Sequence, residues 1–223
     1  MSKKRKCKDP KNLIYVFCEG QSEILYIEYF KTTFNNVIIL KPEQGMIPEA
    51  KIQFEKDPEH MNSLSEINEI WFFFDTENYD KAHWNDWLNI IKTFNKSRKT
   101  NHIKIRLLMT TSCIEYWFLL HYKKTAPQIQ SKADKDHIFD ILSTFVSNYS
   151  KTNKDAIWEI ASKYKQAINN GEWTLHNIES IEPIPSTTTL DRNSWLFMHD
   201  YTFTTVHEAI SYLDDLFEKA RVL

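Results

Sequence analysis

Four apolar runs punctuate the chain up to Lys123, and each is followed by a stretch with helical spacing. Leu13 to Cys18 (LIYVFC) is apolar at every position, the pattern of a strand buried on both faces. Glu19-Gly20 breaks it. Ser22 suits a helix N-cap, with Glu23 in the first turn. Leu25, Tyr26, Tyr29 and Phe30 then supply an apolar stripe to about residue 33. Val37 to Leu40 (VIIL) is a second short strand, ending near Gly45, and Pro48 opens a helix to roughly Glu55. The polar stretch Asp57 to Asn68 leads into Ile70 to Phe74 (IWFFF), the most hydrophobic strand, which stops at Asp75-Thr76-Glu77. Trp84, Trp87, Leu88 and Ile91 mark the next helix. Ile103 to Met109 (IKIRLLM) is a fourth strand, and Thr111 or Ser112 caps a helix from Ile114 to Tyr122.

Short apolar strands alternating with helices predict an α/β fold, with a parallel four-stranded sheet flanked by helices on both faces. Beyond it the pattern is helical. Ile138 to Val146 and Ile157 to Ile168 carry helical spacing, Gly171 ends the latter as a C-cap, Pro183 to Thr187 is a turn, and Val206 to Leu216 is a final amphipathic helix. This divides the chain into a basic flexible tail (1–11), an α/β core (12–123) and a mainly helical extension packed on that core (124–223).

Composition changes this picture at one point. Hydrophobic residues make up 42 % and charged residues 26 %, which is ordinary, but there are only three glycines, Gly20, Gly45 and Gly171. Average usage of about 7 % would give roughly 15. No glycine-rich dinucleotide loop or phosphate loop can be written, so phosphate chemistry here would not rest on a glycine cradle. The net charge of −2 leaves any nucleic-acid affinity to local patches or metal ions. The basic run Lys3, Lys4, Arg5, Lys6 and Lys8 reads as a solvated tail or as a phosphate-contacting arm. Cys7, Cys18 and Cys113 show no C-x-x-C spacing, which points to a reducing, cytoplasmic setting with Cys18 and Cys113 buried. No run of 18 apolar residues predicts a membrane span.

The acids fall at informative places. Glu19 directly follows the first strand, Asp75 the third, and Glu77 lies two residues on. In an open parallel sheet the carboxyl ends of the strands line the ligand-binding edge. Neighbouring strands are ~4.8 Å apart, so such acids can converge, and together they stay ionised only around a cation. Hard oxygen ligands select Mg²⁺ or Mn²⁺. The competing reading makes Asp75 and Glu77 caps of the next helix, and Glu19 a loop acid. Glu115, in the first turn after strand four, either caps that helix or faces the site. His121 lies nearly two turns on, either lining the site or satisfied in the core. Lys104, Arg106, Lys123 and Lys124 are candidate phosphate contacts or a solvated charge pattern. Trp71, Trp84, Trp87 and Trp117 read as core rather than a base-stacking platform.

Glu19-Gly20 followed by Ser22-Glu23 and Tyr29-Phe30 resembles the opening of the RloB-like family, where a C-E-G strand end leads into a T-E-x-x-Y-F type helix. Asp75-Thr76-Glu77 stands where that family usually has D-x-D. Ser112 through His121 is similar to its S-N-P-x-F-E-x-W-L-L-L-H block, and Pro185-Ser186-Thr187 and Thr205-Val206-His207 are similar to its closing elements. The resemblance implies a Toprim-type fold, shared with topoisomerases, primases and OLD-type nucleases. It also implies Glu19 as general acid/base and Asp75 and Glu77 as Mg²⁺ ligands. Two departures stand out: Glu77 is one methylene longer than the usual Asp, and Cys113 sits at or near the usual proline.

The expectation is a Mg²⁺-dependent nuclease acting on RNA, tRNA or DNA as a toxic effector of bacterial anti-phage defence. Glu19 is its acid/base, Asp75, Glu77 and Glu115 its metal ligands, and Gly20, Glu23, Gly45, Ser112 and His121 its lining. The family context adds an ABC/AAA-type ATPase partner, and a homodimer is a further candidate assembly. The alternative is a non-catalytic module of the same fold that docks on such an ATPase.

Overall fold

A computed structural model describes residues 11–222. The basic run and Cys7 therefore lie outside the described residues. The order is β1 (Asn12–Cys18), α1 (Gln21–Thr33), β2 (Ile38–Gln44), α2 (Ile47–Lys56), α3 (Pro58–Ser63), β3 (Ile67–Asp75), α4 (Lys81–Lys96), β4 (Lys104–Thr110) and α5 (Ile114–Leu119). Five more helices follow: α6 (Lys132–Phe145), α7 (Lys154–Ala161), α8 (Tyr164–Glu179), α9 (Thr189–Met198) and α10 (Val206–Val222). One 3₁₀ turn, Thr76–Asn78, joins β3 to α4.

The sheet is all-parallel in the order β2-β1-β3-β4. Both faces are covered, which is why β1 and β3 read as continuous apolar runs. Ile14, Val16, Cys18, Trp71 and Phe73 point into one layer with Tyr26, Phe30 and Trp117. Tyr15, Phe17, Phe72 and Phe74 point into the other with Phe54, Trp84 and Trp87. The C-terminal helices and the segment before α10 feed both layers: Ile157, Ala167, Val206 and Leu213 join the first, and Leu175, Ile178, Leu196 and Phe203 the second. The outer edge of β4 is clasped by the segment before α10. Thr205 Oγ1 donates to Leu107 O at 2.7 Å and accepts from Met109 N at 2.9 Å, and Thr110 bridges Thr204 antiparallel. A strand edge covered in this way cannot template pairing with another chain.

Several sequence expectations shift. Gly20, not Ser22, is the N-cap of α1, because the Ser22 hydroxyl is spent on Lys151 O at 3.0 Å. The polar stretch after α2 contains α3, capped by Asp57, which accepts from Glu59 N. Cys113, rather than Thr111 or Ser112, is the N-cap of α5, and that helix ends at Leu119. The Ile157–Ile168 pattern splits into two helices at Ser162-Lys163, and α9 carries no strong stripe to announce it. Gly171 is not a C-cap. It lies inside α8 because a side chain there would have its Cβ 2.7 Å from that of His207 on α10.

Candidate active site

The strand order places the topological switch between β1 and β3. The chain leaves β1 for β2 on one side and returns to β3 on the other. The crevice beyond the carboxyl ends of such a pair is where open α/β sheets bind ligands. Glu19 and Asp75 stand on its two sides. Glu19 N donates to Phe73 O at 3.1 Å, and Asp75 N donates to Glu19 Oε2 at 3.1 Å. Tyr79, just past the 3₁₀ turn, also hydrogen-bonds Glu19 through its side chain. Gly45 fixes the end of β1 from the other side, its N–H donating to Cys18 O at 3.0 Å with φ +137°. That backbone conformation is open to glycine and strained for other residues.

Asp75 does not cap. Its side chain makes no cap bond at the 3₁₀ turn, and α4 is capped by Asp80, which accepts from Ala82 N and His83 N. Asp75 Oδ1 is buried without a hydrogen-bond partner among the described residues. Burial, then the charges of Glu23, Glu19 and Glu115, push its carboxyl well above the usual carboxylate range, with Lys151 opposing. Glu23 is buried in the first turn of α1, beside Gly20. Burial lifts it to about 7 against its own backbone hydrogen bond; Glu19 and Glu115 add to the rise and Lys151 opposes it.

Glu115 faces the same cluster. It is buried, accepts from Tyr149 OH at 3.0 Å, and lies 3.4 Å from Lys151 Nζ. Its approach depends on the β4–α5 corner. Ser112 there holds φ +65°, and Cys113 N closes back on Thr111 O at 2.8 Å, a tight turn of the strained hand. Ser112 Oγ is anchored on Ile129 O at 2.9 Å, so it supports the corner. Burial, with Glu115 and Asp75 nearby, pushes the Cys113 thiol up to about 12, and both Cys18 and Cys113 are free and buried.

Other anticipated residues lie elsewhere. Glu77 points outward and is paired with Lys135 of α6. His121 is fully buried, with Nδ1 on Trp117 O and Nε2 on Tyr26 OH, each at 3.0 Å. The carbonyl can only accept, so Nδ1 carries the proton and Nε2 accepts from the tyrosine. Burial lowers its pKa to about 3, and it serves the core as a neutral histidine. Arg106 pairs bidentately with buried Glu69, Nη2 to Oε1 at 3.0 Å, and its guanidinium lies 4.6 Å from the Tyr212 ring centre. Arg106 and Lys104 are also at the amino end of β4, with Lys104 ~20 Å from Thr110 at strand rise, so they sit away from the acids. Lys124 covers the Trp173 ring at 4.9 Å, and Lys123 is exposed beyond α5.

Sequence reading missed Tyr79, Tyr149, Lys135 and Lys151. Tyr149 and Lys151 lie between α6 and α7, where no periodicity marks them. Their signal is tertiary: the segment is docked on α1 by Ser22 and on α5 by Glu115.

The RloB-like protein family model matches residues 14–213. The chain belongs to the RloB-like family. No curated protein and no solved structure matches it. In this RloB-like chain the family match spans every acid of the cluster together with Tyr149 and Lys151. No described helix is long and apolar enough to cross a membrane. Among the described residues, no three His, Cys, Asp or Glu side chains form a ready-made ion cage. What the RloB-like chain gathers instead is one orphaned carboxylate oxygen on Asp75, with Glu19, Glu23 and Glu115 around it.

Proposed function

We propose that this RloB-like protein is a Mg²⁺- or Mn²⁺-dependent nuclease of Toprim type, hydrolysing phosphodiesters of RNA, including tRNA, or of DNA. The observation that carries the reading is the buried Asp75 Oδ1 at the switch point, without a hydrogen-bond partner among the described residues, with the charges of Glu23, Glu19 and Glu115 acting on its carboxyl. Burial and the neighbouring acids push this carboxyl toward its neutral form, and a divalent cation would favour the ionised one; Mg²⁺ is commonly held by only one or two carboxylates plus water and substrate oxygens. Asp75 and Glu115 would hold the ion, and Glu77 could join only by leaving Lys135. When bound, the ion would polarise the phosphoryl oxygen and acidify a water.

The chain's own residues do the rest. Glu19, fixed by the Asp75 N–H and by Tyr79, takes the proton of the attacking water or supplies one to the leaving oxygen. Tyr149 holds the Glu115 carboxylate in place. The defence setting and an ABC/AAA-type ATPase partner are supported by the family resemblance alone.

One observation favours a second reading. Glu77 is occupied by Lys135, as expected of a docking module whose acids are vestigial. Labelled tRNA and plasmid, incubated with Mg²⁺, Mn²⁺ or EDTA, separate the two. Metal-dependent cleavage that disappears in Asp75→Asn and Glu19→Gln supports the nuclease. Absence of cleavage, with toxicity in cells unimpaired in both variants, leaves the docking module.

A further inference from the structure

We propose that Lys151 is the residue through which this site grips the nucleic-acid backbone, its ammonium contacting a phosphate beside the acid cluster. The proposal rests on the phosphodiester reading above, and adds to it a substrate contact outside the acids.

The first argument is position. The segment between α6 and α7 is irregular but fixed. Ser22 Oγ holds the Lys151 carbonyl at 3.0 Å, Tyr149 OH holds Glu115 at 3.0 Å, and Asn153 N closes on Ser150 O at 3.1 Å while capping α7. The backbone at Lys151 is thus held against α1, α5 and the start of α7, beside Glu115.

The second argument is exposure. Lys151 Nζ is 3.4 Å from Glu115 Oε1; the Glu115 side chain is 5 % exposed, whereas that of Lys151 is 66 % exposed. The ammonium meets buried Glu115, and the side chain is otherwise open to solvent. An ammonium has three donors, so after Glu115 takes one, two remain for an incoming ligand. The third argument is charge. The charge of Lys151 opposes the rise at both Asp75 and Glu23. Arg106 is committed to Glu69, Lys124 to the Trp173 ring and Lys135 to Glu77. A polyanion approaching four carboxylates needs a positive contact where it enters, and Lys151 stands there.

A merely structural counter-ion would leave substrate binding unchanged, so the test reads binding separately from cleavage. A fluorescein-labelled single-stranded RNA is titrated with the Asp75→Asn protein, alone and combined with Lys151→Ala, Lys151→Arg or Lys104→Ala, over a range of KCl. Each phosphate contact contributes ~0.7 to the slope of log affinity against log salt for single strands. Lys151→Ala is expected to weaken binding several-fold and lower that slope by about 0.7. Lys151→Arg should keep the slope, and Lys104→Ala should leave binding unchanged. Circular dichroism melts establish that each variant is folded. An unchanged slope in Lys151→Ala, an equal fall in Lys104→Ala, or no RNA binding at all overturns the proposal. Lys151-dependent binding without cleavage by the unsubstituted protein removes the nuclease reading and leaves the contact. Cleavage with Lys151-independent binding does the reverse.

Discussion

The backbone N–H of Asp75 donates to the Glu19 carboxylate across 3.1 Å, joining the ends of β3 and β1 at the switch point of the sheet. Glu19 is therefore oriented by the strand that carries the orphaned Asp75 oxygen. Glu19→Gln keeps an oxygen acceptor for that N–H but removes the proton-transfer group. Cleavage is expected to fall about 10²–10⁴-fold, the usual range for losing a general acid or base. Divalent-ion binding and thermal stability should stay near those of the parent. Calorimetry and single-turnover cleavage on the same preparations check this, and a Gln variant that cleaves normally removes Glu19 from the chemistry.

The acid cluster also sets a pH dependence of the metal-free protein. Glu23 rises from 4.5 to about 7 on folding, so the folded state holds its proton more tightly. Its contribution is complete below the unfolded pKa and is lost as pH rises through 7. His121 and His207 fall from 6.5 to about 3 and about 4, chiefly by burial, and their penalty appears as pH drops below 6.5. The two effects oppose each other in mild acid. Comparison with Glu23→Gln isolates the carboxyl: in EDTA the parent should lose up to about 3 kcal/mol relative to the variant between pH 4.5 and 8. Urea titrations at several pH values give the difference, and a difference independent of pH contradicts the assignment.

Gly171→Ala tests the packing of α8 on α10. In an open helix interior the change stabilises by about 1 kcal/mol. Here the new Cβ would lie 2.7 Å from His207 Cβ and 2.9 Å from Cγ, in a buried contact. Overpacking of that kind costs about 1–3 kcal/mol, so net destabilisation is expected. A raised melting temperature would show that the two helices separate easily.

Arg106→Ala should act on stability and not on nucleic-acid binding. Among the described residues it leaves buried Glu69 with only the Trp71 Nε1 hydrogen bond at 2.7 Å. Breaking a buried pair costs about 3–5 kcal/mol. Denaturant midpoints for Arg106→Ala and Arg106→Met, alongside RNA affinity, decide between this and a phosphate-contacting role.

Much of this architecture was legible because parallel strands buried on both faces have no polar positions to blur them. LIYVFC and IWFFF announce β1 and β3, and the acids that end them mark the ligand edge. What stayed hidden depends on tertiary partners. Ser22 looks like a cap until Lys151 claims its hydroxyl. Arg106 looks available until Glu69, on the neighbouring strand, is seen to be buried. Glu77 continues the D-x-E spacing, but the 3₁₀ turn swings it out to Lys135. Gly171 has the local look of a helix end, and only His207 reveals why no side chain fits there. The 149–151 segment has no periodicity at all, so its role could come only from what it touches.

The central claim is that Asp75 and its neighbouring carboxylates form a divalent-cation site. Calorimetric titration of Mn²⁺ into the metal-free protein at pH 8, compared with Asp75→Asn, tests it most directly. Saturable binding that is lost, or weakened at least tenfold, in Asp75→Asn is the expected result. No saturable binding to the parent, or undiminished affinity in the variant, would contradict it.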